Sequence, residues 1–548
     1  MKKAVQIVLC VLMGGIPASE ACTNLIVGRG ASVDGSVFVS YSADSYGCCG
    51  IMRYYAGGTH NKGEMRKIYD WESNLYRGEI PEAGETYNVV GNINEYQLCI
   101  AETTFGGREE LVDTAGIDYG SLIYLALQRC KTAREAIKTM TELVGLYGYC
   151  SEGESFTIAD KNEAWIMEMV GKAGTSKGAV WVAVRIPDDC IAAHANQARI
   201  HKFMQYDKAD CLYADDVVDF ARSQGYYSGS DEDFDFADAY CPLNFSGARI
   251  CEARVWSFFK NHMEDMDKYY SYVSGEDLDA EPMPLFVRPV RKLSLQDIQH
   301  DMRDHFEGTP LEMANDRGAG AYGMPYRATP LTWDLDGKTY FNERPTSTQQ
   351  ASFTFVAQMR SELPDAVGGI IWWGSDDANM IPYTPVYCCA LQAPDCYGEK
   401  YADDVKFSFE SAFWVQNWVS NMVYSRYSLM MPDVSLQRDR LDSLFYVRQA
   451  EIEAHASDLL TDDKDAAVSY LTEYSLGCAD TMMTVWKDLA LRLIVKYNDF
   501  IIHPEKDGEF LRTPEGRGVT VERPGYDEAV KRSIIEQTQE RYLVPTNE

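Results

Sequence analysis

Residues 22–44 read CTNLIVGRGASVDGSVFVSYSAD, and this stretch decides the fold. Leu25, Ile26 and Val27 make a short apolar run ending at Gly28, Asp34-Gly35 is a turn signal, and Val37-Phe38-Val39-Ser40-Tyr41 resumes the run. Strand, Asp-Gly turn and strand predict a sheet hairpin with Cys22 at its start. Asp44, one strand beyond the turn, returns toward Cys22. Its carboxylate is either a turn cap or a group that orients an ammonium or thiol.

Upstream of Cys22, Lys2 and Lys3 form a basic n-region, Val5 to Gly15 an apolar segment too short to span a bilayer, and Ser19-Glu20-Ala21 supplies small residues at −3 and −1. Residues 1–21 are therefore predicted to be a signal peptide whose cleavage leaves Cys22 at the mature N-terminus. The chain is then secreted or periplasmic. Lipoprotein maturation also cuts before a cysteine, but Ser19 and Glu20 fit its preference for an aliphatic residue at −3 poorly.

Downstream, Gln97 to Thr104 predicts a third strand, and Gly120 to Gln128 and Thr132 to Leu143 predict helices, the second with Ala133, Ala136, Ile137 and Met140 at helical spacing. Ser155 to Ala159, Ala164 to Val170 and Val180 to Arg185 return as short strands. Strands, helices, then strands predict a layered α+β protein. The stretch from about 205 to 350 is loop-rich with acidic clusters, and Ser352 to Gln358 and Gly368 to Trp373 are again strands. After about residue 400 the segments Phe409 to Tyr427, Asp439 to Leu460, Asp463 to Tyr474 and Ala479 to Tyr497 are amphipathic at about 3.6-residue spacing. The predicted organisation is a leader (1–21), a catalytic unit with loop-rich insertions (22–400) and a helical C-terminal region (401–548).

The 548 residues carry a formal charge of −32, from 83 acidic against 51 basic side chains. A chain this acidic repels phosphate backbones, which disfavours nucleic acid as a partner. No stretch after residue 21 is apolar for the length a membrane span requires. The 15 cysteines lack CxxC spacing, so neither a zinc site nor a disulfide framework is signalled, and no other cofactor is expected. Nothing in the sequence signals an oligomeric state.

A thiol attacking a carbonyl must lose its proton, and the usual base is a histidine. An N-terminal cysteine brings its own, because an α-amine titrates near about 8 and lies beside the thiol. Such a site suits a chain with eight histidines. It also requires an oxyanion donor. Asn196, in His194-Ala195-Asn196-Gln197, is either that donor or a turn residue. Arg254, in an apolar helical stretch from 248 to 259, is either salt-bridged structure or a directed charge.

Cys22-Thr23-Asn24, the Asp34-Gly35-Ser36 turn, Asp44-Ser45, Asn94-Glu95-x-Gln97-Leu98 leading into Glu102-Thr103-Thr104, Gly153-Glu154-Ser155-Phe156, Asn162-Glu163-Ala164-Trp165 and His194-Ala195-Asn196-Gln197 occur in this order. Together they resemble the secreted dipeptidase family of the N-terminal nucleophile cysteine hydrolases, more distantly related to penicillin V acylases and bile salt hydrolases. Trp372-Trp373-Gly374, Pro385-Val386-Tyr387 and the helical tail extend the likeness over nearly the whole mature chain.

The resemblance implies a four-layer αββα sandwich and metal-free hydrolysis of dipeptides or short peptides. By motif position, Cys22 resembles the nucleophile, Asp44 the aspartate, Asn196 the oxyanion asparagine and Arg254 a later arginine. Thr104 falls near a position where the acylases place another asparagine, and with Tyr41 it is a candidate substrate contact. Tyr41 is also the clearest departure, since relatives commonly carry a basic residue three positions before the aspartate. Either Arg254 or another basic group compensates, or the thiol pKa is less depressed and activity is low or differently tuned. Two other readings are an N-acyl amide hydrolase and a lipidated, non-catalytic surface binding protein.

Overall fold

A computed structural model describes residues 22–545 except 72, 175 and 176; the predicted leader lies outside the described residues. Among the described residues, no helix is long and apolar enough to cross a membrane. The opening hairpin is β1 (Asn24–Val27) and β2 (Val37–Asp44), antiparallel with Ile26 opposite Val39. Gly35 turns the chain at φ 79°, a conformation glycine adopts without a Cβ clash.

The hairpin is the centre of a seven-stranded antiparallel sheet. On one side of β1 lies β7 (Ile191–His194) and then an edge strand at Phe286–Val287. On the other side of β2 follow β8 (Ala351–Met359), β9 (Ile370–Ser375) and β10 (Thr384–Tyr387). The second large sheet has eight strands, with β3 (Cys99–Gly106), β4 (Gly153–Ala159), β5 (Ala164–Gly171) and β6 (Ala179–Ile186) paired antiparallel in succession.

The two sheets pack on each other through β2 against β3 and β4. Period-2 alternation separates the faces of the second sheet. Ala164, Ile166 and Val170 of β5 join the core shared with the hairpin, whereas Trp165, Met167 and Met169 join a second core under α1 (Tyr119–Arg129) and α2 (Ala133–Tyr147). Both faces of these strands are buried, which is why their sequence reads as near-continuous apolar runs. A capping box between Thr132 and Glu135 starts α2.

The other side of the seven-stranded sheet receives α3 (Ala253–His262) against β7, α4 (Ala412–Tyr424) against β9, and α5 (Tyr427–Asp462) and α6 (Lys464–Tyr497) against β10. These helices share the hairpin's core rather than forming one of their own. The mixed architecture and the helical region agree with the sequence, but the helix boundaries do not. Two expected segments, 463–474 and 479–497, are one helix running through Gly477; packing of Leu471, Cys478 and Met482 outweighs the ~1 kcal/mol a glycine costs. Likewise α5 begins twelve residues before Asp439 and accommodates Pro432 near its start. Beyond Tyr497 the region is not purely helical, holding a small two-stranded sheet and one further helix, Glu528–Thr538.

Candidate active site

Register brings the first site residues together. Asn24 of β1 pairs with His194 of β7, so two residues further along Cys22 faces Asn196, while Thr23 bridges to Ser42 on the other side. Asn196 has φ 68°, a left-handed conformation asparagine tolerates well, and this turns its side chain toward the cysteine. The Cys22 backbone nitrogen donates to Asn196 Oδ1 at 2.8 Å. Asn196 Nδ2 donates to the Thr104 carbonyl at 2.6 Å. The amide thus holds the nitrogen of Cys22 through its oxygen, and one of its two N–H groups anchors it to Thr104.

Arg254, on α3 and fully buried, donates through Nη1 to the Cys22 carbonyl at 2.6 Å and Thr23 Oγ1 at 2.7 Å. Its Nη2 donates to the Ala195 carbonyl at 2.9 Å and Asn196 Oδ1 at 3.0 Å. The fork therefore clamps both strands that carry the site. Burial, with the nearby Arg344 guanidinium, pulls Arg254 down to about 10, which still leaves it charged at neutral pH.

Asp44 is buried and paired with Arg344, also buried, and accepts from Ser42 Oγ at 2.6 Å. Burial pushes this carboxyl above its ordinary range; Arg344 is the largest opposing influence. The Asp44 carboxylate is thus engaged by Arg344 and Ser42, and its charge still acts on the nearby thiol, which it pushes up. Arg344 lies in the stretch read as loop-rich insertion, where no local pattern distinguishes it.

Cys22 itself is 7% exposed at a cavity of about 330 Å³. Tyr41, Asp44, Asn92 and Glu102 contribute polar groups to the lining, and Trp71, Tyr119, Tyr124 and Phe353 contribute rings. Cys22 Sγ lies 3.8 Å from Tyr41 Oη and 3.7 Å from Glu102 Oε1, and the Tyr41 hydroxyl donates to that same carboxylate oxygen. Edge-on contacts with Phe353 and Phe355, at ring centroid distances of 5.3 and 5.6 Å, fix the Tyr41 ring. Burial pushes the Cys22 thiol well above its usual range, and the Glu102 and Asp44 carboxylates push it further. The Tyr41 hydroxyl, hydrogen-bonded toward the sulfur, pulls in the opposite direction.

Among the described residues, no histidine lines this cavity. His194, the imidazole closest in sequence to Asn196, is clamped between the sheets, with Nδ1 2.7 Å from Thr103 Oγ1 and Nε2 2.7 Å from Thr157 Oγ1. Burial holds it neutral, with its pKa down to about 3. Thr104 lines a neighbouring cavity with Asn196, and its hydroxyl donates to Glu154 Oε2 at 3.1 Å. Its part in the Cys22 site is the backbone carbonyl that anchors Asn196, not a side chain facing the cavity at Cys22. Glu102 is the residue whose importance the sequence did not reveal: it stood inside a quoted motif, as one carboxylate within a strand.

The family model for peptidase family C69, a cysteine peptidase family, matches residues 21–439. The chain is 24% identical over 497 residues to a probable dipeptidase of Latilactobacillus sakei, covering 87% of this chain and 95% of that protein. It is 25% identical over 411 residues to a probable dipeptidase of Salmonella dublin, covering 71% and 85% respectively. To a probable dipeptidase B of Streptococcus pyogenes serotype M1 it is 22% identical over 504 residues, covering 87% and 93%.

Proposed function

The chain belongs to peptidase family C69 and is a hydrolase; from that premise we propose that it is an exported cysteine dipeptidase whose nucleophile is Cys22 and whose general base is the α-amine of the same residue. The observation that carries the reading is the Cys22 nitrogen held 2.8 Å from Asn196 Oδ1 beside a thiol that opens on a cavity of about 330 Å³. The family match begins one residue before Cys22, which supports removal of 1–21 as the activating step. The succession helices, sheet, sheet, helices supports the αββα sandwich of the N-terminal nucleophile hydrolases, with 22–400 as catalytic unit and 401–548 packed on it.

The sequence of events follows from what each group can do. Once the Ala21–Cys22 bond is cut, the amine takes the thiol proton as Sγ attacks the scissile carbonyl. Arg254 and Asn196 hold the nucleophile's backbone so that thiol, amine and carbonyl keep their alignment. The protonated amine then delivers its proton to the leaving amine. Water, deprotonated by the same amine, hydrolyses the thioester. The experiment is Cys22→Ser, cut at the same bond: turnover of dipeptides should fall at least about 1000-fold, and wild-type turnover would overturn the proposal.

A further inference from the structure

Around the thiol, positive charge is engaged elsewhere. Arg344 pairs with Asp44, Arg254 is spent on carbonyls, the Thr23 hydroxyl and the Asn196 amide, and Arg53, which lines the same cavity, pairs with Glu399 at 2.8 Å and lies over the Trp71 ring. What faces the sulfur is a carboxylate, Glu102, 2% exposed, that lines the cavity from the opposite sheet. Its Oε1 is 3.7 Å from Sγ and accepts from the Tyr41 hydroxyl, which is itself 3.8 Å from Sγ. An anion at that place opposes thiolate formation, and a cation brought by the substrate relieves that opposition.

We infer that Glu102, oriented by Tyr41, is the subsite for the free α-ammonium of the substrate, and that this ammonium supplies the positive charge that the site lacks at position 41. The inference rests on Cys22 being the nucleophile. Covalent geometry places a peptide's α-nitrogen about 2.5 Å from the carbonyl carbon of its own residue. A carbon in attack position sits about 3–3.5 Å from the sulfur. A nitrogen hydrogen-bonded at about 2.8 Å to Glu102 Oε1 then closes the figure with the observed 3.7 Å from oxygen to sulfur. In an extended chain, one residue inserted ahead would carry the ammonium roughly 3.5 Å further, past the carboxylate.

Two consequences follow. The acyl group comes from the N-terminal residue of the peptide, whose side chain meets the ring-lined part of the cavity at Trp71, Tyr119, Tyr124 and Phe353. The bound ammonium also neutralises the carboxylate that resists thiolate formation, so a free N-terminus both positions the carbonyl and eases removal of the thiol proton. An N-acylated peptide does neither.

The test is Glu102→Gln, assayed in two ways. Turnover of a free dipeptide such as Phe-Ala should fall at least about 100-fold in kcat/KM, and the preference for Phe-Ala over N-acetyl-Phe-Ala should collapse. Alkylation of Cys22 by iodoacetamide without substrate, read by peptide mass, should hold steady or accelerate, because the opposing charge is gone. A loss of alkylation in step with turnover would overturn the inference by making Glu102 a base or a structural support, and undiminished dipeptide turnover would overturn it outright. Failure of the underlying reading looks different: Cys22→Ser would keep wild-type turnover, and the ammonium subsite would fall with it.

Discussion

Arg344→Met removes the cation from a pair in which both side chains are at most 1% exposed. The remaining Asp44 must either stay charged in the interior or take up a proton. Protonating a carboxyl with an ordinary pKa of about 3.9 at pH 7 costs about 4 kcal/mol, at 1.36 kcal/mol per unit. That figure is a ceiling, because burial already raises Asp44 in the intact protein, and it agrees with the ~3–5 kcal/mol seen when one partner of a buried pair is removed. The expected loss is about 3 kcal/mol at pH 7. The sign with pH is fixed. A carboxyl raised further in the folded variant has its penalty absent below its unfolded pKa and growing as pH rises, so at pH 5 the ceiling is about 1.5 kcal/mol. Urea unfolding followed by tryptophan fluorescence at pH 5 and pH 7 reads the difference, and Asp44→Asn combined with Arg344→Met should recover most of it. A loss below about 1 kcal/mol at pH 7, or one independent of pH, would refute the reasoning.

Further outcomes follow from the same groups. With the α-amine as base and a substrate α-ammonium held by Glu102, kcat/KM for a dipeptide should rise about tenfold per pH unit below the amine's pKa near about 8 and fall again above it as the substrate loses its own charge; a pH–rate profile that is flat from pH 5 to 8 would exclude that base. Glu168, fully buried, accepts from the backbone N–H groups of Arg199 and Ile200, and burial lifts it to about 7. Its folded pKa is raised, so its contribution is full below about pH 4.5 and declines as pH rises to about 7, by roughly 3 kcal/mol. Glu168→Gln should flatten the stability profile in that window by urea unfolding, and an unchanged slope would count against the assignment.

The hairpin was legible because local signals agree with tertiary structure there: an apolar run, an Asp-Gly turn and a second run give β1 and β2 with Cys22 at the free end. Asn196 was legible as a candidate, but its role required the β1–β7 register, which places its Oδ1 on the Cys22 nitrogen and its Nδ2 on Thr104. Arg344 was not legible. It reaches Asp44 across 300 positions, from irregular backbone where neither periodicity nor a cap marks it. Glu102 was hidden for another reason. A carboxylate within a strand looks like any polar alternation until the partner sheet brings a thiol and a phenol to the same oxygen. The helices of α5 and α6 were misdivided because proline and glycine carry local penalties that packing against the sheet overrides.

The central claim is that the residue exposed by removing 1–21 is the one that carries the acyl group. The most direct measurement is peptide mass spectrometry of the purified protein quenched in acid during turnover of a slow dipeptide. The account predicts an N-terminal peptide that begins at Cys22 and carries one acyl residue as a thioester. An N-terminus elsewhere, a blocked or lipidated Cys22, or the acyl mass on another side chain would contradict it.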